Sequence, residues 1–238
     1  MGEPNPRTLY LVPTPLGNLK DLTRRAEHIL ANVDLVACED TRRTAGLMTH
    51  LGLSKPLVSF HGHSSPHKVE RLVADLQTGR SIALVSDAGT PGLSDPGTDL
   101  VQAAIAAGIS VISLPGACAA TTSLVGSGLP TDRFIFLGFL PRRTARARRA
   151  IEATIPLEST VIIYESPFRT ADTVDLIRQT VGDDTRVVIA RELTKVFEEW
   201  IRGTAAEVAQ RLQNQPLKGE VVILFNPSIS STEARISS

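Results

Sequence analysis

The sequence is short of aromatic residues, of cysteine and of unbalanced charge. Aromatics make up 4% of 238 residues, with a single tryptophan. The core therefore has to be built from Leu, Val, Ile and Ala, the residues that fill parallel sheets covered by helices. The only cysteines, Cys38 and Cys118, lie far apart among small or apolar neighbours. That argues against a disulfide framework or a metal site, and for a reducing compartment. Lys plus Arg and Asp plus Glu both number 25, giving zero net charge. A nucleic-acid partner would thus have to be met by a local basic patch, because the field of the whole molecule gives no attraction. No apolar run reaches the length of a membrane span, and residues 1–7 are polar; a soluble, cytoplasmic protein is expected. Several fingerprints are missing too. There is no G-x-x-x-x-G-K-[ST] phosphate loop, no G-x-G-x-x-G after the first apolar run, and no C-x-x-C or H-E-x-x-H spacing. These gaps count against a nucleotide-binding α/β protein of the common types.

What is present is an alternation of short apolar runs and helix-period segments. With 42% hydrophobic and 21% charged residues, a packed core is expected over most of the length. Strands are predicted at 8–12, 33–37, 57–60, 81–85 and 109–114. Helices are predicted at 22–32, with Asp21 as N-cap, and at 41–51, 66–77 and 99–107. This order implies a mostly parallel α/β sheet. Beyond Gly116 the pattern loosens. It gives helices at 117–126, 142–153, 171–181 and 205–212, strands at 134–139, 160–164, 186–190 and 221–225, and a hairpin strand over 195–202. A mixed sheet with antiparallel pairs is expected there. The predicted division is 1–116, 117–226 and a flexible Ser-rich tail at 227–238.

The chemistry concentrates in loops at the carboxyl ends of strands, where open α/β sheets place ligands. The first is Pro13-Thr14-Pro15-Leu16-Gly17-Asn18. The richest runs from Ser86 to Gly97 and includes Asp87, Ala88, Gly89, Thr90 and Pro91. Its glycines allow a ligand close to the backbone and its prolines hold that backbone rigid. Its aspartates suit a cationic or hydroxyl-bearing ligand better than a phosphate. A third loop, from Pro115 to Thr122, carries tiny side chains around Cys118 and Ala119. Cys118 is read as a packing residue, since no basic neighbour in sequence lowers its pKa. Tyr164-Glu165-Ser166-Pro167-Phe168-Arg169 and Arg191-Glu192-Leu193-Thr194-Lys195 place charged groups at two further strand ends. Glu39, Asp40, Arg42 and Arg43 form another polar cluster. His61, His63 and His67 are read as facing solvent. Arg142, Arg143, Arg146, Arg148 and Arg149 crowd one helix. Against zero net charge this is a concentrated patch suited to phosphates.

Taken in order, Leu9–Asn18, Glu39-Asp40-Thr41-Arg42, Ser86–Gly97, Pro115–Ala120, Gly138-Phe139-Leu140-Pro141, Tyr164-Glu165-Ser166-Pro167 and Arg191–Lys195 resemble the ribosomal RNA small-subunit methyltransferase I family. That family lies within the tetrapyrrole-methylase group. The resemblance implies an α/β protein of the tetrapyrrole-methylase fold. Its two domains, a mostly parallel and a mixed sheet, would hold S-adenosylmethionine in the cleft between them. It implies a homodimer that methylates the ribose 2′-hydroxyl of a cytidine in 16S ribosomal RNA near the decoding centre. It places Asp87, Ala88, Gly89, Thr90, Pro91, Cys118, Ala119, Tyr164 and Glu165 at cofactor-contacting positions, and Pro15 and Leu193 more loosely. Relatives often carry a further helical segment at the C-terminus, where this chain has its Ser-rich tail.

A ribose hydroxyl is a weak nucleophile, so a base or hydrogen-bond acceptor is expected. Glu165, Glu192 and Asp87 are the candidate carboxylates, with Lys195 joining them if burial lowers its pKa. The arginine cluster is expected to grip RNA. The alternatives are a methyltransferase of the same fold acting on a tetrapyrrole or other small molecule, and a non-catalytic module that binds S-adenosylmethionine.

Overall fold

The computed structural model describes residues 4–62 and 64–230, which leaves His63 and the tail beyond residue 230 outside. The chain divides between Cys118 and Ala119 into two compact units.

The first unit alternates strand and helix: β1 (Thr8–Leu11), α1 (Arg24–Asn32), β2 (Leu35–Cys38), α2 (Thr41–His50), β3 (Leu57–Ser59), α3 (Pro66–Gln77), β4 (Ile82–Val85), α4 (Thr98–Ala106) and β5 (Ser110–Ser113). The strands form one parallel sheet in the order β3-β2-β4-β1-β5. Period-two alternation feeds both faces of it. Leu9, Ile82 and Leu84 point to the α3 and α4 side with Leu72, Leu76 and Leu100. Tyr10, Ala83 and Val85 point to the other side with Ala26, Ile29, Leu30 and Met48. That is why these strands read as nearly continuous apolar runs.

One cap differs from expectation. Asn18 Oδ1 accepts from Lys20 N at 3.1 Å and turns Leu19–Asp21 into a short 3-10 helix. Asp21 is thereby consumed, and Thr23 caps α1 through Ala26 N at 3.1 Å.

The second unit contains α5 (Ala119–Ser127), β6 (Phe134–Phe139), α6 (Thr144–Glu152), β7 (Thr160–Glu165), α7 (Thr170–Val181), β8 (Thr185–Arg191), β9 (Glu199–Thr204), α8 (Ala205–Asn214) and β10 (Val221–Ser230). Its sheet runs β6-β7-β10-β8-β9. β6 and β7 are parallel and every other pair is antiparallel, the mixed sheet expected. Phe225, Ile163, Ile151 and Ile177 centre its core.

Three boundaries depart from the sequence reading. β10 continues to Ser230, pairing back to Thr185 after a register shift, so residues 227–230 belong to a strand and not to a flexible tail. The hairpin strand begins at Glu199 rather than Lys195, because the Glu198 carboxylate accepts from Thr194 N at 2.6 Å and closes 195–198 into a turn. α6 begins at Thr144, which leaves Arg142 and Arg143 ahead of its first turn. Among the described residues no helix is long and apolar enough to cross a membrane.

Candidate functional site

In the first unit, β1 and β4 are neighbours, yet the chain leaves β1 for β2 and leaves β4 for β5, towards opposite edges of the sheet. The loops at their carboxyl ends therefore diverge and open a crevice, the usual ligand position in such sheets. Those loops are the two singled out in the sequence, and the structure pins them together. Thr14 and Gly89 exchange backbone hydrogen bonds of 2.9 Å each way. Thr14 is buried, and its hydroxyl donates to Ser86 O at 3.0 Å. The third loop joins them, since the Thr90 hydroxyl donates to Ala117 O at 3.0 Å. A Cβ on Gly116 would lie 2.7 Å from Cβ of Pro13, so the first and third loops touch at a position only glycine permits.

Asp87 stands at the mouth of β4. Its Oδ1 accepts from Asp40 N at 3.0 Å, and Arg43 lies 3.5 Å from Oδ2. With Thr14, Pro15, Gly17, Thr44 and Leu47 it lines a cavity of about 260 Å³. Two further carboxyls share this field. Burial, then Asp87, raises the Glu39 pKa. Burial, followed by Glu39 and Asp87, pushes Asp95 up to about 6. Among the described residues no group of three or more His, Cys, Asp or Glu could hold a metal ion. His61 and His67 are exposed, and His67 Nδ1 lies 3.6 Å from Glu70.

The raised Asp95 pKa carries a stability prediction. The folded-state value lies above the ordinary 3.8. The group's contribution is therefore complete below about pH 4 and is lost as pH rises through 6. Asp95→Asn should raise Tm at pH 7.5 by about 2–4 °C, the shift that ~1 kcal/mol gives in a chain of this size. The gain should shrink to roughly a third at pH 4.5, which lies only just above the ordinary carboxyl value. Thermal melts at the two pH values check this, and an equal gain at both would overturn it.

In the second unit, Tyr164 and Glu165 end β7. The Tyr164 hydroxyl accepts from Ala120 N at 3.0 Å and so caps the first turn of α5, next to Ala119. Phe136 and Phe139 meet its ring edge-on at 4.8 and 5.8 Å. A bulge at Leu137, with Gly138 at φ +63°, turns the end of β6 towards this ring. The Glu165 side chain is fully buried and fully engaged. Its Oε1 accepts from Ser166 N at 2.8 Å and lies 3.5 Å from Arg169, while Oε2 accepts from the Thr173 hydroxyl at 2.8 Å.

Leu193, buried, sits between Glu192 and Thr194 at φ +51° and +66°. Two non-glycine residues of this kind, one on either side of Leu193, mark a strained turn that its surroundings must hold. They do so through Glu192 Oε1, which accepts from Glu220 N at 2.8 Å and from Lys195 Nζ at 2.9 Å. A Cβ on Gly219 would meet the Glu192 carboxyl at 2.5 Å, so glycine there admits the carboxylate. Burial works against both charges, but these hydrogen bonds outweigh it. The Glu192 pKa is lowered and the Lys195 pKa raised. This reverses the expectation that burial would lower Lys195, because two carboxylates, Glu192 and Glu220, face its ammonium.

The arginine cluster also separates. Arg148 turns onto α7, donating to Thr180 at 3.1 Å and Gln179 at 3.0 Å. Arg142, Arg143, Arg146 and Arg149 are exposed and make no ion pair with a described residue.

Sequence reasoning took Thr14 and Asp95 only as members of their loops and did not single out Thr173. For Thr173 a signal existed. Thr170 and Thr173 interrupt the buried α7 stripe of Val174 and Ile177, and polar residues in a buried stripe need buried partners.

Comparison with known proteins agrees with this architecture. Residues 8–209 match the tetrapyrrole (corrin/porphyrin) methylases. The ribosomal RNA small subunit methyltransferase I of Halalkalibacterium halodurans is 49% identical over 217 residues, 91% of this chain and 75% of that protein. The protein of the same name from Streptococcus pyogenes is 44% identical over 230 residues, 97% of this chain and 80% of the relative. That from Synechocystis is 45% identical over 218 residues, 91% and 78%. Among solved structures, diphthine synthase superposes with TM-score 0.73 at 15% identity, covering 94% of this chain and 92% of that one. The methyltransferase CobJ gives 0.70 at 15% identity, with 93% of each chain covered. The two structures share the fold, and the curated relatives narrow the assignment: this chain belongs to the tetrapyrrole methylases and, within them, to the ribosomal RNA small subunit methyltransferase I family.

Proposed function

We propose that the chain transfers a methyl group from S-adenosylmethionine to 16S ribosomal RNA, at the ribose 2′-hydroxyl of a cytidine near the decoding centre. The observation that carries this reading is the pinned pair of loops at the carboxyl ends of β1 and β4, in a chain of this family. The residues there fit the cofactor chemically. Asp87 supplies a carboxylate for an ammonium or a ribose diol, and the Ala88-Gly89-Thr90 backbone beside it is held in place by the two Thr14–Gly89 hydrogen bonds. Pro15 and Pro91 stiffen the walls. Cys118, Ala119, Tyr164 and Leu193 are further residues we assign to cofactor binding.

When bound, the cofactor supplies an electrophilic methyl carbon on a sulfonium. The protein's task is to hold the acceptor oxygen in line behind that carbon, and positioning of this kind carries a large share of the rate. Glu165, saturated by Ser166, Thr173 and Arg169, fixes the turn after β7. Glu192 and Lys195 fix the Leu193 turn and place an ammonium beside it. We assign these three to positioning and electrostatics. Arg142, Arg143, Arg146 and Arg149 hold RNA phosphates, and Arg148 braces the helix that presents them. The protein acts in the cytoplasm as a homodimer.

The test is methyl transfer from labelled S-adenosylmethionine to unmodified small ribosomal subunits, followed by digestion to nucleosides. The expected product is 2′-O-methylcytidine. A base-methylated nucleoside would refute the acceptor atom. Transfer to a tetrapyrrole with none to RNA would refute the substrate class.

A further inference from the structure

Phe168 is 92% exposed, the most exposed aromatic side chain among the described residues. It sits on the turn between β7 and α7. A ring left in water forgoes the ~2 kcal/mol that burial brings, and this one is displayed on a rigid mount. Pro167 precedes it. The Arg169 amide donates to Ser166 O at 2.9 Å and the Thr170 hydroxyl to the same oxygen at 3.0 Å. Ser166 N is itself held by Glu165.

The Arg169 guanidinium then crosses to the end of β6. There it donates to Leu140 O and Pro141 O, each at 3.3 Å. The residues that follow Pro141 are Arg142 and Arg143, both exposed and without an ion pair to a described residue. One side chain thus ties the turn that carries an exposed aromatic ring to the segment that leads into two exposed arginines. An exposed ring offers a stacking face to any base, and adjacent arginines match the backbone that carries it; this is the composition of surfaces that take single-stranded nucleic acid.

We propose that Phe168 is a stacking platform for an unpaired nucleotide of the RNA substrate, with Arg142 and Arg143 on the adjoining turn holding flanking phosphates. The inference rests on the RNA reading above and names a contact within it. Arg169 is the positioning residue that joins the two halves.

Phe168→Trp places a reporter at the site, and the wild-type protein, with Trp200 alone, supplies the background. Titration with a short single-stranded RNA oligonucleotide should quench the Phe168→Trp fluorescence saturably and leave the wild-type signal unchanged. Phe168→Ala should raise KM for small ribosomal subunits roughly tenfold, the loss expected for one stacked base. Phe168→Tyr should restore it and Phe168→Leu should not. Affinity for S-adenosylmethionine should stay unchanged throughout. Absence of quenching together with an unchanged KM in Phe168→Ala would overturn the proposal. So would a shift to a smaller species on sedimentation with intact RNA binding, which would assign the ring to a contact between copies. The broader reading fails separately: quenching without methylation of small subunits by the wild-type protein would remove the substrate assignment and leave the platform standing.

Discussion

Replacing Arg142, Arg143, Arg146 and Arg149 together by alanine should lower affinity for small-subunit RNA by about a hundredfold at low salt. The slope of log affinity against log salt should fall by about 3, since each phosphate contact to a single strand contributes roughly 0.7. Arg142, Arg143 and Arg146 surround the start of α6, whose first turn carries no acidic residue and whose N-cap, Arg143, makes no side-chain cap, while Arg149 lies in its last turn. Cations at the positive end of a helix dipole are unfavourable by about 0.3–1 kcal/mol each. Their removal should therefore leave Tm unchanged or slightly higher, which separates loss of binding from loss of fold. Arg148→Ala is the control. It should weaken the α6–α7 contact to Gln179 and Thr180 and leave the salt slope alone. RNA affinity equal to wild type in the quadruple variant would refute the assignment of this surface.

The largest effect on stability should come from Glu165→Ala. The carboxylate is the common acceptor for the Ser166 amide and the Thr173 hydroxyl, with Arg169 at 3.5 Å. Breaking a buried pair by removing one partner costs about 3–5 kcal/mol. Arg169 keeps part of its surface in water and can be resolvated, so about 3 kcal/mol is expected. In a chain of this length that is a fall in Tm of about 6–12 °C. Glu165→Gln preserves shape and should fall between the two. Measured below its melting range, Glu165→Gln should keep methyl transfer within about tenfold of wild type, because its role here is to hold the turn. A loss beyond a thousandfold with a near-native Tm would mean that the carboxylate accepts the proton, and the positioning role would be wrong.

Much of the architecture was legible in sequence for a simple reason. Strands buried on both faces must be apolar throughout, and helices covering them must repeat at 3.6 residues, so β1 to β5 and α1 to α4 could be placed within a few residues. The mixed second sheet was also legible, from the loosened spacing after Gly116. Boundaries failed where a side chain overrode the pattern. Asn18 closed a 3-10 turn and passed the cap of α1 from Asp21 to Thr23. Glu198 closed 195–198 and delayed β9. β10 ran on past Phe225 because β8 offered it a partner as far as Thr185.

The sequence alone determined which loops are chemically rich. Composition marks Ser86–Gly97 as more than a connection, and Pro13–Asn18 and Pro115–Thr122 gain their meaning from the order of the motifs along the chain, which carries the family. Only the tertiary structure decided what each charged group does. The pKa of Lys195 depends on Glu192 and Glu220, the second of them 25 positions away in the numbering. The engagement of Arg148 depends on what α7 presents to α6. The buried Glu165 carboxylate finds one of its donors in a threonine eight residues on. Electrostatics acts over a few ångströms whatever the separation along the chain. Residue type and periodicity therefore locate a site, and its protonation and donor pattern are settled only when the folded neighbours are in place.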